Sequence, residues 1–291
     1  MYSTLISVAQ LQALQASGTP CKVFDCSFDL TQPQAGRAMY EDRHIAGAVY
    51  ADLNTDLSAK GDPHATGAQS GGRHPLPSRE HFALWLHSMG FDNTMQAVVY
   101  DRQGANYCGR LWWMLKWLGH DAAAVLDGGL QAWAAAGGAQ AAGAASSQAS
   151  ANSAEFVVSA PQVTLLSADT VLEYLGRPEQ TIVDARATPR FMGEVEPLDP
   201  VAGHIPGALN RPFTQNLTPE GVFKPASVLR AEFDALLGTQ ASQHVVHHCG
   251  SGVSAIPNLL AMEIAGLGGS APFAGSWSEW CSDARRPVAK G

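Results

Sequence analysis

The chain has 291 residues, 46% of them hydrophobic, which is enough for two ordinary domains or one large one with a sizeable core. A formal net charge of -8 argues against a nucleic-acid backbone as main partner, and no apolar run approaches the ~20 residues that a membrane span needs. Five cysteines without paired spacing, and no basic, apolar leader over the first 19 residues, lead us to expect a soluble cytoplasmic protein rather than a disulfide framework.

Ser7 can cap a helix that carries Val8, Leu11 and Leu14 on one face. Residues 23–25 read as a strand, and Arg43-His44-Ile45-Ala46-Gly47-Ala48 as a turn into a short strand over 49–51. Residues 55–79 are polar and rich in Gly, His and Pro, a long excursion of the kind that often carries function. Residues 97–100 read as a strand. Residues 110–118 read as a helix apolar nearly all round, so that Trp112, Trp113 and Trp117 belong to a core. A strand over 124–126 ends at Asp127-Gly128-Gly129, and a helix follows to residue 136. Residues 137–154 are almost entirely Ala, Gly, Ser and Gln. A linker is therefore placed at 137–160, between domains at 1–136 and 161–291.

The pattern then recurs. Ser167 leads a helix with Val171, Leu172 and Leu175, and Thr181-Ile182-Val183-Asp184 repeats the strand. Gly203-His204-Ile205-Pro206-Gly207-Ala208 echoes His44-Ile45-Ala46-Gly47-Ala48, which gives His44 and His204 a shared structural role. Phe273-Ala274-Gly275-Ser276-Trp277-Ser278-Glu279-Trp280 answers Leu126-Asp127-Gly128-Gly129-Leu130-Gln131-Ala132-Trp133. Two copies of an α/β domain follow, each with a largely parallel sheet covered by helices on both faces.

The chemistry lies in an asymmetry between the copies. Val245-Val246 reads as a buried strand and Ile256 to Ile264 as a helix. Between them, Cys249-Gly250-Ser251-Gly252-Val253-Ser254-Ala255 sits at the sheet edge where open α/β folds bind ligands. Two glycines let successive N–H groups turn inward and form a nest for an anion, so Cys249 reads as a nucleophile. Pro257 lies in the first turn of the helix, where a missing N–H costs least. The first copy has Asp101 at the place of Cys249, which makes it the inactive copy. Cys21, Cys26, Cys108 and Cys281 have no such loop and read as structural. His247 and His248 are adjacent on a strand, point to opposite faces and cannot easily share a metal ion.

These residues resemble the tandem-domain rhodanese superfamily of sulfurtransferases, nearly end to end. The resemblance includes Trp112-Trp113-Met114-Leu115, Asp127-Gly128-Gly129, Gly203-His204-Ile205-Pro206-Gly207-Ala208 and Gly275-Ser276-Trp277-Ser278-Glu279-Trp280. The Cys249 loop is similar to that of the members acting on 3-mercaptopyruvate, which usually have Thr in place of Ser254. Members that prefer thiosulfate usually carry a basic pair where this chain has Gly250 and Ser251.

The resemblance implies a persulfide shuttle without cofactor or metal. Cys249 takes sulfur from 3-mercaptopyruvate, pyruvate leaves, and a thiol acceptor such as a thioredoxin-like protein, or cyanide, removes the sulfur. Gly250, Gly252, Val253 and Ser254 would line the donor site. A donor carboxylate suits the planar fork of an Arg. The resemblance assigns it to Arg190, while Arg186, the second candidate, is read with Asp184 as a brace of the loop. A second Arg is usual after a Glu-Pro pair, but here Glu196-Pro197 is followed by Leu198, so reduced selectivity between 3-mercaptopyruvate and thiosulfate is expected. Ser251 and His74 would form a proton relay whose third member falls on Asp52 or Asn54.

Other classes fit less well. A Cys-dependent phosphatase needs an Arg closing its loop, and here that position is Ala255. A thiosulfate:cyanide sulfurtransferase and a persulfide carrier that turns over no small donor are the remaining alternatives.

Overall fold

The computed structural model describes residues 1–60, 69–144 and 154–291, which divide into two α/β units. Parts of the polar excursion at 55–79 and of the stretch read as a linker lie outside the described residues.

The first unit contains β1 (Leu5–Ile6), α1 (Val8–Ala16), β2 (Cys21–Asp25), α2 (Ala35–Asp42), β3 (His44–Ile45), β4 (Val49–Tyr50), α3 (Arg79–Ser88), β5 (Gln96–Tyr100), α4 (Cys108–Trp117), β6 (Ala123–Leu126), α5 (Gly129–Ala135) and β7 (Gln140–Ala141). Its main sheet has the order β1-β6-β5-β2-β4 and is parallel throughout. The central strands β5 and β6 are buried at every position, as unbroken runs without polar alternation require. Ser7 caps α1 in a reciprocal box with Gln10. All of α4 except Lys116 is buried, which places Trp112, Trp113 and Trp117 in the core.

The stretch read as a linker is anchored to this unit wherever it is described. β7 pairs antiparallel with β3. Phe156 is buried and stacks on Phe91 at 5.8 Å. Val157 exchanges two hydrogen bonds with Asn93, of 2.7 and 3.0 Å. Small residues hid this role, because a two-residue edge strand is held by main-chain bonds and needs no apolar pattern.

The second unit comprises Val163–Pro219 and Phe223–Gly291 together with residues 69–76. Its elements are α6 (Ala168–Glu173), β8 (Thr181–Asp184), α7 (Thr188–Met192), β9 (Leu209–Asn210), α8 (Ala226–Leu237), β10 (Val245–His248), α9 (Ile256–Ile264), β11 (Ala271–Pro272) and α10 (Ser276–Trp280). The sheet β11-β10-β8-β9 is again all parallel. A parallel bridge from Leu166 to Phe273 stands where β1 stands beside β6, so both sheets share one strand order. An antiparallel bridge from His204 to Ala289 likewise answers the β3–β7 pair.

His44 and His204 do the same work in each copy. Each donates from Nδ1 to a backbone carbonyl at 2.8 Å, of Tyr40 and Phe191 respectively. Each also stacks on the ring of that same residue, at 4.0 and 3.9 Å between centroids. The adjacent His247 and His248 are both buried. His247 Nε2 lies 3.2 Å from Met262 Sδ and His248 Nε2 lies 3.5 Å from Asp184 Oδ2. Burial pushes His247 down to about 3, so its ring is neutral.

The loop after β5 shows what this fold does with a strand-to-helix turn. The buried Asp101 carboxylate accepts N–H bonds from Gln103, Ala105, Tyr107 and Cys108 at 2.8–3.0 Å. The nest is filled by the loop's own side chain. Asp101→Ala should leave buried donors unpaired and lower stability by ~3 kcal/mol or more in urea unfolding. A loss under ~1 kcal/mol would show that water replaces the carboxylate.

Candidate active site

β10 delivers Cys249 to the sheet edge, and α9 begins at Ile256 with Pro257 in its first turn. The loop between them is tied to the start of α10. The Cys249 carbonyl accepts from Trp277 N–H at 3.0 Å and the Gly250 carbonyl from Ser278 N–H at 2.9 Å. Cys249 N–H donates to Ser276 Oγ at 3.1 Å, and that hydroxyl donates to the Phe273 carbonyl at 3.0 Å. Gly252 has φ +76°, and a Cβ there would lie 2.0 Å from the Ala274 carbonyl oxygen, so only glycine fits. Cys249 is 2% exposed and packs on Ala185, Ala255 and Phe213.

Residues 69–76 reach this loop as a strap within the second unit. Gly71 N–H donates to Glu279 Oε2 at 3.1 Å and Arg73 N–H to Ser278 Oγ at 3.0 Å. A Cβ on Gly72, where φ is +82°, would lie 2.6 Å from the Gly275 carbonyl oxygen, so the strap runs against the α10 turn by virtue of its glycines. The strap sets His74 Nδ1 2.8 Å from Ser251 Oγ. Of the two residues considered as the relay's third member, Asp52 accepts from the N–H groups of Asn54 and Thr55 at 2.7 and 3.2 Å, which makes it a turn-former in the first unit. Asn54 Oδ1 accepts from Lys60 Nζ at 3.4 Å.

Arg186 and Arg190 differ sharply in surroundings. Arg186, read with Asp184 as a brace of the loop, makes the contacts such a brace would make. Its Nε and Nη2 grip the Asp184 carboxylate at 2.6–3.1 Å, Nη2 also reaches the Gly203 carbonyl at 2.7 Å, and the guanidinium lies over Trp277. Burial alone would raise the Asp184 carboxyl, but His248 and Arg186 outweigh it and hold it below the usual range. Arg190, on the short helix α7, presents Nε and Nη2 to Glu196 at 3.3 and 2.6 Å. Its Nη1 lies 3.4 Å from where a Gly250 Cβ would be.

Sequence reasoning missed Arg73. Its Nη2 lies 2.9 Å from the same Gly250 Cβ position. The site thus has a second guanidinium although position 198 is Leu, which corrects the expectation of one. Its only signal in the sequence was adjacency to His74. Gly250 leaves room for both guanidinium groups, and a side chain there would collide with Arg73.

Ser276 was quoted as part of a repeat but not as a site residue. Its φ of +54° matches the +56° of Gly129, its counterpart in the first unit. A non-glycine residue there costs about 1 kcal/mol, and here the hydroxyl oxygen accepts from Cys249 N–H. Burial pushes the Cys26 and Cys108 thiols far up, in keeping with structural roles for them. Ser276→Gly should leave stability within ~1 kcal/mol of the parent while lowering kcat/KM about tenfold. Unchanged kinetics would mean that the Cys249 loop needs no bond from this hydroxyl.

Comparison with known proteins identifies the family. The model of the rhodanese-like domain matches residues 7–136 and again 167–283. A probable 3-mercaptopyruvate sulfurtransferase of Pseudomonas aeruginosa is 44% identical over 292 residues, covering 100% of both chains. A putative thiosulfate sulfurtransferase, SseB, of Mycobacterium tuberculosis is 36% identical and covers 99% of this chain and 97% of its own. The structure of 3-mercaptopyruvate sulfurtransferase from Leishmania major superposes with a TM-score of 0.80 at 30% identity, covering 98% of this chain and 76% of its own. The chain therefore belongs to the rhodanese family of sulfurtransferases, with two rhodanese-like domains in tandem.

Proposed function

We propose that the protein moves a sulfane sulfur from 3-mercaptopyruvate through Cys249 to a thiol or cyanide. The observation that carries this reading is the pair of guanidinium edges, Arg73 Nη2 and Arg190 Nη1, facing Gly250 beside the loop cysteine. Two guanidinium edges suit a carboxylate, and the donor's sulfur is separated from its carboxylate carbon by two carbon atoms, which matches a carboxylate held beside the residue that follows Cys249.

In the first half-reaction the Cys249 thiolate attacks the donor sulfur and the C–S bond breaks. Its electron pair passes to the enolate of pyruvate. The proton from the donor thiol ends on that carbon, and we assign its transfer to Ser251 and His74, whose Oγ and Nδ1 lie 2.8 Å apart. Cys249 is left as a persulfide. The first unit supplies the model for its stabilisation, since there the equivalent turn points four N–H groups at an anion. In the second half-reaction an acceptor thiolate or cyanide attacks the outer sulfur and restores the Cys249 thiolate. A thioredoxin-like protein is the acceptor class we propose. Among the described residues no helix is long and apolar enough to cross a membrane; a cytoplasmic location remains part of the proposal.

Cys249→Ser should abolish pyruvate release and the mass gain of one sulfur that the parent shows after donor treatment, while the protein stays folded. Arg190→Ala should lower kcat/KM for 3-mercaptopyruvate by ~10²-fold. Parent protein that turns over thiosulfate and releases no pyruvate would replace the donor, and turnover of neither would leave a carrier.

A further inference from the structure

We propose that Asp199 is the positioning residue that presents Arg73 to the sulfur donor, and so sets how tightly the donor's carboxylate is held. The inference rests on the donor site described above and deepens it. It begins with the segment where a second Arg was expected. Leu198, at that position, is 41% exposed and contributes only its N–H, which donates to Glu196 Oε1 at 3.1 Å. The next side chain faces inward, and that of Asp199 is 3% exposed.

Asp199 links the two guanidinium groups. Oδ1 accepts from Arg73 Nη1 and Oδ2 from Arg190 Nη2 at 3.4 Å. Its own N–H donates to Glu196 Oε1 at 3.2 Å, so the carboxylate stands on a turn that Glu196 already organises. Arg190 has Glu196 as an independent, two-point partner, but Arg73 has its carboxylate contact through Asp199. One edge of Arg73 is thereby engaged, and the other nitrogen, Nη2, is aimed at Gly250. A flexible side chain fixed in this way loses less entropy when the donor binds.

Charge points the same way. Arg73, Arg186 and Arg190 are balanced by Asp184, Glu196 and Asp199. The frame is neutral, so a donor carboxylate is held by aimed N–H groups rather than by a surplus of positive charge. A residue that aims one of those groups is then a determinant of donor binding even though it touches no donor atom.

The test combines steady-state kinetics on 3-mercaptopyruvate with calorimetric binding of pyruvate to the Cys249→Ser protein, which cannot turn over. Asp199→Ala should raise KM and the pyruvate Kd about tenfold with kcat within about twofold. Asp199→Asn keeps an oxygen acceptor for Arg73 and should recover most of the loss. Arg73→Ala should weaken pyruvate as much as Asp199→Ala does, and the double variant no more than either, because the two act as one unit. An unchanged Kd in Asp199→Ala, additive losses in the double variant, or Asp199→Asn as poor as Asp199→Ala would each overturn the proposal. Parent protein that releases no pyruvate would instead remove the donor reading, while the binding cycle with pyruvate would still decide the role of Asp199.

Discussion

The site depends on one piece of main-chain pairing. The carbonyls of Cys249 and Gly250 accept from the first N–H groups of α10, and a turn with positive φ places those donors. The first unit uses the same device. There the Asp101 carbonyl accepts from Leu130 N–H at 3.4 Å, and Gly129 has the positive φ. A single frame thus holds two loops of different chemistry. In one, a carboxylate satisfies the inward N–H groups permanently. In the other, a thiol occupies the equivalent position.

Around that frame the second unit arranges six charged side chains in a continuous network of ion pairs. Buried ions are tolerable only when paired and hydrogen-bonded, and such pairs add little net stability. Their use here is geometric. Asp184 immobilises Arg186 beneath the loop, Glu196 grips Arg190 at two points, and Asp199 holds Arg73. Glu196 and Asp199 each touch two guanidinium groups, so the pairs are joined into one network. For Arg73 and Arg190 the remaining edge faces Gly250, and the absence of a side chain on that glycine is as necessary as the presence of the arginines.

Much of the architecture is legible in the chain because it is written in short-range pattern. Apolar runs of strand length, caps such as Ser7 and Ser167, and echoes such as His44 with His204 each depend on residues close together in sequence. β7 was illegible for the opposite reason, since its partner is β3, nearly a hundred residues away by the count that separates 45 from 140. Its alanine and glutamine side chains carry no periodic signal.

The site divides along the same line. The sequence by itself determined the setting of Cys249, because strand, glycine turn and helix are contiguous around it. It also supplied His74, Ser251 and Arg190 as candidates through resemblance. The reading of Arg186 as a brace was likewise available from its place beside Asp184, and only the tertiary structure showed that it also ties down the Gly203 carbonyl, that Ser276 accepts a bond from the loop, and that Arg73 and Asp199 meet across 126 positions of chain. The physical reason is that a guanidinium's role is set by which carboxylates occupy its edges, and those partners are chosen by packing rather than by spacing along the chain.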